Sequence, residues 1–146
     1  MPPNSKQNPC AFFALRATLS TKGEIFLVRR VLIVEDEPNI VESLRFLLER
    51  EGLDVAVQSD GALAIDSVIA TQPDLIILDV MLPNRSGFDI LRDLHQMPGT
   101  RPKVMVLTAK GQARDRETAE SIGMDSFMTK PFSNKEIVAS VLRMLA

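Results

Sequence analysis

Apolar positions fall in short runs separated by amphipathic stretches, and the alternation is regular from Arg30 onward. Val31-Leu32-Ile33-Val34 is a β-branched run suited to a strand buried on both faces. Ile40, Val41, Leu44, Leu47 and Leu48 then recur at helical spacing, with Gly52 as a stop. A second strand is predicted over Asp54–Val57, and a helix over Ala62–Ala70 that Pro73 ends. Leu75–Leu78 reads as a third strand and Pro83–Gly87 as a loop. Phe88, Leu91 and Leu94 mark a third helix, and Val104–Leu107 a fourth strand. Ala113–Ile122 is a polar, weakly amphipathic helix stopped by Gly123. Ser126–Thr129 is a fifth strand, and Ser133 caps a last helix carrying Ile137, Val138, Val141, Leu142 and Leu145.

Five strands alternating with five helices predict an α/β fold. Strands joined by helical crossovers pair in parallel, with right-handed connections. Helices then cover both faces of an open, doubly wound five-stranded sheet, expected in the order 2-1-3-4-5.

Residues 1–29 read differently. They carry Pro2, Pro3 and Pro9 and no acid before Glu24, and the apolar stretch Cys10–Leu15 is cut short by Arg16. This N-terminal extension is expected to be disordered or to be a non-native start, with Val28 as the natural opening. Residues 30–146 are expected to form one domain, with no output domain within the chain. Composition narrows the function. A single cysteine, Cys10, excludes an internal disulfide and a cysteine-based zinc site. A single histidine, His95, excludes histidine-rich metal sites and is expected to be exposed late in the third helix. A net charge of -2 argues against nucleic-acid or membrane binding through bulk charge. No apolar run approaches the roughly 20 residues that span a bilayer.

The chemistry lies where the strands end. Glu35 and Asp36 follow Val34, Asp79 follows Leu78, Thr108 follows Leu107 and Lys130 follows Thr129. In a doubly wound sheet, ligands bind at this carboxyl edge. Three converging carboxylates repel one another unless a cation sits among them. Hard oxygen ligands in an open site suit Mg²⁺. With the cation bound, one carboxylate can attack a phosphoryl group and become an acyl phosphate. The added charge then needs the metal, Lys130 and the Thr108 hydroxyl.

Taken together, Val34-Glu35-Asp36-Glu37-Pro38, Leu78-Asp79-Val80-Met81-Leu82-Pro83, Gly87-Phe88, Leu107-Thr108-Ala109 and Phe127-Met128-Thr129-Lys130-Pro131-Phe132 resemble the receiver domain of two-component response regulators. The resemblance implies a flavodoxin-like receiver fold in the cytoplasm that acts as a phosphoacceptor switch rather than a turnover enzyme. Asp79 would accept a phosphoryl group from a sensor histidine kinase or a phosphotransfer protein. Asp36 and Asp79 would bind Mg²⁺, with Glu35 directly or through water, and Met81 through its backbone carbonyl. Lys130, ahead of a cis Lys130–Pro131 bond, would pair with the phosphoryl oxygens. Thr108 would move toward them and Phe127 would turn inward. The surface of helix 4, strand 5 and helix 5 would then favour a downstream protein, a fused output domain or a phosphorylation-dependent homodimer, with no membrane or direct nucleic-acid contact.

Some positions depart from the family pattern. Phe127 stands where Tyr is commonest, and Glu35 where Asp is frequent. Met81 and Lys110 occupy positions that tune phosphoryl loss, and Met81 cannot position a water by hydrogen bonding. Arg116 and Glu136 match a charge pair of receivers that dimerise, but Ser140 falls where those carry Arg. Other readings fit less well. A phosphatase with a nucleophilic Asp wants an acid two residues on, where Met81 stands. A nucleotide or flavin module wants a Gly- or Ser/Thr-rich loop after the first strand, where Glu35-Asp36-Glu37 repels phosphate. A docking-only receiver would have lost groups that are all present here.

Overall fold

The apolar runs become five strands: β1 (Arg30–Val34), β2 (Asp54–Gln58), β3 (Leu75–Asp79), β4 (Lys103–Ala109) and β5 (Ser126–Lys130). They pair in parallel in the order β2-β1-β3-β4-β5, as the alternation predicts. The crossovers are α1 (Pro38–Arg50), α2 (Ala64–Thr71), α3 (Gly87–Gln96) and α4 (Ala113–Ile122), and α5 (Asn134–Leu145) follows β5. The computed structural model describes residues 17–19, 23, 25–109 and 111–146.

Successive strand residues face opposite sides of the sheet, and both sides are apolar. Val31, Ile33, Ile77 and Leu107 meet Leu44 and Leu48 of α1 and Ile137 and Val141 of α5. Leu32, Val34, Leu78 and Val106 meet Val68 of α2, Leu91 and Leu94 of α3 and Ala119 of α4. Each fully buried Leu, Ile or Val contributes roughly 1.5–3 kcal/mol, so the two clusters hold the strand ends rigidly in place.

Helix starts follow local chemistry. Pro38 opens α1, where its missing N–H costs little. The hydroxyls of Ser86 and Ser133 accept from the N–H groups of Asp89 (3.2 Å) and Glu136 (3.0 Å), capping α3 and α5. The second helix is entered through a tight turn at Gly61–Leu63, and it ends at Gln72 in the left-handed region (φ 50°) just before Pro73. A helical Gln72 would clash with the proline ring, so the stop acts one residue earlier than the proline itself. At the opposite edge of the sheet, Arg30 ties three elements together. Its N–H donates to Asp74 (2.8 Å), its Nε to Asp54 (2.6 Å) and its Nη1 to the Thr71 carbonyl (2.6 Å).

The segment expected to be disordered or a non-native start contains two short strands. Ala17–Leu19 and Ile25–Leu27 pair antiparallel, with Ala17 opposite Leu27. Residues 1–16, with Cys10, lie outside the described residues.

Candidate functional site

Strand register assembles the site. Val34 pairs with Leu78, so the next residues, Glu35 and Asp79, emerge side by side. Asp79 pairs with Leu107, which puts Thr108 just past it on β4. Lys130 ends β5 opposite Ala109. One carboxylate oxygen from each of Glu35, Asp36 and Asp79 lies within 4.8 Å of the others. The Lys130 ammonium sits 2.9 Å from Glu35 Oε2 and 3.3 Å from Asp79 Oδ2. The Lys130–Pro131 bond is cis, as the resemblance implies.

Glu35 is fully buried. Its Oε1 accepts from the Glu37 N–H (3.2 Å), whereas Oε2 meets the Lys130 ammonium without hydrogen-bond geometry. Burial pushes the Glu35 carboxyl up to about 7, against the lowering effect of Lys130 and with added repulsion from Asp79. Burial also disfavours the Lys130 ammonium, but Glu35 and Asp79 together outweigh it and hold the lysine above its ordinary value. Asp79 is almost fully buried, and the Met81 N–H donates to its Oδ1 (3.3 Å). Three carboxylates against one ammonium leave the cluster short of positive charge. An under-compensated buried carboxylate is costly, and all the donors are hard oxygens. These residues therefore fit a small divalent cation such as Mg²⁺. Asp36 is exposed, so such a cation would keep solvent water.

The N-terminus of α3 is pressed against the end of β3. The Gly87 N–H donates to the Val80 carbonyl (2.9 Å). A Cβ on Gly87 would overlap the Asp79 carbonyl oxygen and come within 2.8 Å of Val80 Cα. Only glycine allows this approach, a constraint that the loop-forming reading of Gly87 did not reveal. Beside Lys130, an open groove of about 420 Å³ runs past Ile40, Ala109, Pro131 and Phe132. The Met81 side chain is exposed at the mouth of the site.

Thr108 is buried and lines a separate cavity of about 270 Å³ with Phe127 and Arg116. The Phe127 ring is half-buried, and the Arg116 guanidinium covers its face. Within the chain, Arg116 pairs with Glu120 (2.9 Å) rather than Glu136. Lys110 lies outside the described residues. His95 is half-buried, not exposed as expected. Its Nε2 lies 2.6 Å from the Gly123 carbonyl and its Nδ1 2.7 Å from Arg101 Nη1. The carbonyl can only accept, so Nε2 carries the proton and Nδ1 accepts from the arginine. Gly123 lies 28 residues away and Arg101 six residues on, just past the helix that carries His95, and the helical pattern alone could not place either.

Among the described residues, no helix is long and apolar enough to cross a membrane. Residues 31–142 match the model of the response regulator receiver domain. The alkaline phosphatase synthesis transcriptional regulatory protein PhoP of Bacillus subtilis is 41% identical over 117 residues, covering 80% of this chain and 48% of that protein. The chain thus spans about half the length of that relative (48%). The receiver domain of a signal transduction histidine kinase from Syntrophus aciditrophicus superposes with a TM-score of 0.75 at 34% identity, covering 81% of this chain and 90% of that one. The receiver domain of a sensor histidine kinase from Pseudomonas aeruginosa, whose structure holds a magnesium ion in its active site cleft, superposes with a TM-score of 0.73 at 28% identity, covering 81% and 98%. With this sheet order, this edge of carboxylates and lysine, and a match over most of its length, the chain belongs to the response regulator receiver domain family.

Proposed function

We propose that residues 30–146 act as a phosphoacceptor switch, taking a phosphoryl group on Asp79. The observation that carries this reading is the buried Asp79 carboxylate, which shares the Lys130 ammonium with Glu35 inside a cluster short of positive charge. Glu35, Asp36, Asp79 and the backbone carbonyl of Met81 would hold Mg²⁺, which when bound neutralises phosphoryl oxygens and draws the like charges together. An Asp79 oxygen attacks the phosphorus of a phosphohistidine, the phosphorus–nitrogen bond breaks, and the imidazole departs with that electron pair. The groove past Ile40 and Pro131 leaves room for a donor side chain beside Lys130. Lys130 stays within reach of the new phosphoryl oxygens, and Thr108 supplies a hydroxyl donor.

The donor is a sensor histidine kinase or phosphotransfer protein, acting in the cytoplasm. The receiver of the output is a downstream protein, a fused output domain or a second copy of the chain, engaged through α4, β5 and α5. The chain does not turn over substrate. At Met81 a thioether stands where a phosphatase would need a proton donor.

Incubation with acetyl phosphate and Mg²⁺, followed by intact-mass spectrometry, tests the reading. One phosphoryl group is expected with Mg²⁺ and none with excess EDTA; an unchanged mass under both conditions would sink the proposal. Phosphoryl loss should be slow because the Met81 thioether cannot orient an attacking water. Met81→Asn adds a group that can orient water, and it should shorten the phosphoryl lifetime several-fold in a mass-spectrometric time course. An unchanged lifetime would remove Met81 as the cause.

A further inference from the structure

The charged face of α4 carries a contact between residues from two different elements. The guanidinium carbon of Arg116 lies 3.8 Å from the centroid of the Phe127 ring on β5. One turn further along α4, Glu120 accepts from Arg116 Nε at 2.9 Å. The arginine is thus fixed at two points. Both partners of the Arg116–Glu120 pair are about half-exposed, and such pairs contribute little on their own. The pair therefore orients the guanidinium, and the ring receives it. Phe127 has no hydroxyl that could hold its position by a hydrogen bond. Its half-buried position rests on packing and on this cation.

Next to the ring lies the cavity of about 270 Å³ whose wall includes Thr108. Thr108 follows Leu107, which is paired with Asp79. A ring that moved into this cavity would give up the cation over its face. The two positions of the ring therefore compete, and Arg116 favours the outer one. We propose that Arg116 is a positioning residue that tethers Phe127 in its half-buried place beside α4 and thereby opposes phosphorylation of Asp79. This rests on the phosphoacceptor reading of the site. When the ring leaves, the guanidinium keeps Glu120 but loses the ring, so one side chain links the ring's position to the charge of the α4 face.

By linkage, a contact made only in the outer state weakens any ligand that favours the inner one, and by the same factor. An exposed cation–π contact corresponds to a change of about two- to fivefold. The test uses beryllofluoride, a stable mimic of the phosphoryl group, with Mg²⁺ and the full chain. Its Kd is measured by NMR titration for the wild type, Arg116→Ala, Arg116→Lys, Phe127→Leu and the double variant Arg116→Ala/Phe127→Leu. Arg116→Ala should bind about two- to fivefold tighter than the wild type, and Arg116→Lys should fall between them. With Leu at 127 the Arg116→Ala change should have no effect, because no π face remains. The side-chain protons of Arg116 should also show a ring-current shift in the wild type that Phe127→Leu removes. Equal affinities of wild type and Arg116→Ala, an undiminished Arg116→Ala effect with Leu at 127, or no ring-current shift would each overturn the tether. No beryllofluoride binding by any variant, the wild type included, would instead overturn the phosphoacceptor reading beneath it.

Discussion

Asp79→Asn should stay folded and take no phosphoryl group. Asn keeps the shape of the side chain and removes the nucleophilic carboxylate. It also removes one of three like charges whose oxygens lie within 4.8 Å of one another. Lys130 keeps its ion pair with Glu35 at 2.9 Å, so no buried charge is left alone. The melting temperature should therefore equal or exceed that of the wild type, while the gain in mass from acetyl phosphate falls to nothing. The same loss of charge should weaken stabilisation by Mg²⁺, seen as a smaller rise in melting temperature when the cation is added. A variant that melted well below the wild type would show that Asp79 serves the fold before it serves the chemistry. A variant that still gained a phosphoryl group would place the acceptor elsewhere.

Gly87→Ala should be the most damaging single-methyl change near the site. The added Cβ would overlap the Asp79 carbonyl oxygen and lie 2.8 Å from Val80 Cα and 3.0 Å from the Asp79 carbonyl carbon. All three are backbone atoms of a buried strand end, so none can swing aside as a side-chain tip would. Overpacking of this kind costs about 3 kcal/mol or more, at the upper end of the usual range. For a domain of this size that lowers the melting temperature by roughly 10 °C or more. Relief requires α3 to move away from β3, which would shift Asp79 relative to Lys130 and slow phosphorylation as well. A melting temperature within about 2 °C of the wild type would mean that the helix start yields easily, and that the glycine is not a packing requirement.

The sheet order and the site edge were legible because the relevant signals are local. Val31–Val34 and Leu75–Leu78 are apolar on both faces, and the residue after each run is a carboxylate. Once the strands are parallel and in register, Glu35, Asp79, Thr108 and Lys130 are forced to one edge. The remainder depends on contacts that the pattern of a single element does not carry. Gly87 is legible as a turn residue, but its intolerance of a Cβ comes from the backbone of Asp79. Arg116 reads as one charge in a solvated run until β5 brings Phe127 beneath it. His95 looks exposed on its own helix, yet Gly123 and Arg101 take both of its ring nitrogens. Gln72 shows a subtler case, where the proline was the visible signal and the residue before it absorbed the strain. The short strands at Ala17–Leu19 and Ile25–Leu27 went unread because the surrounding Pro-rich, acid-poor composition outweighed two three-residue runs.

The central claim is that Asp79 carries the phosphoryl group. Borohydride reduces an acyl phosphate of aspartate to homoserine and leaves free carboxylates untouched. Treating the acetyl-phosphate-labelled protein with borohydride, then sequencing its peptides by mass spectrometry, locates the modified residue. Homoserine at position 79, formed only when Mg²⁺ was present during labelling, is the predicted result. Homoserine at Asp36 or another aspartate, a reduced glutamate, or no reduced residue at all in a protein that had gained a phosphoryl group, would contradict the account.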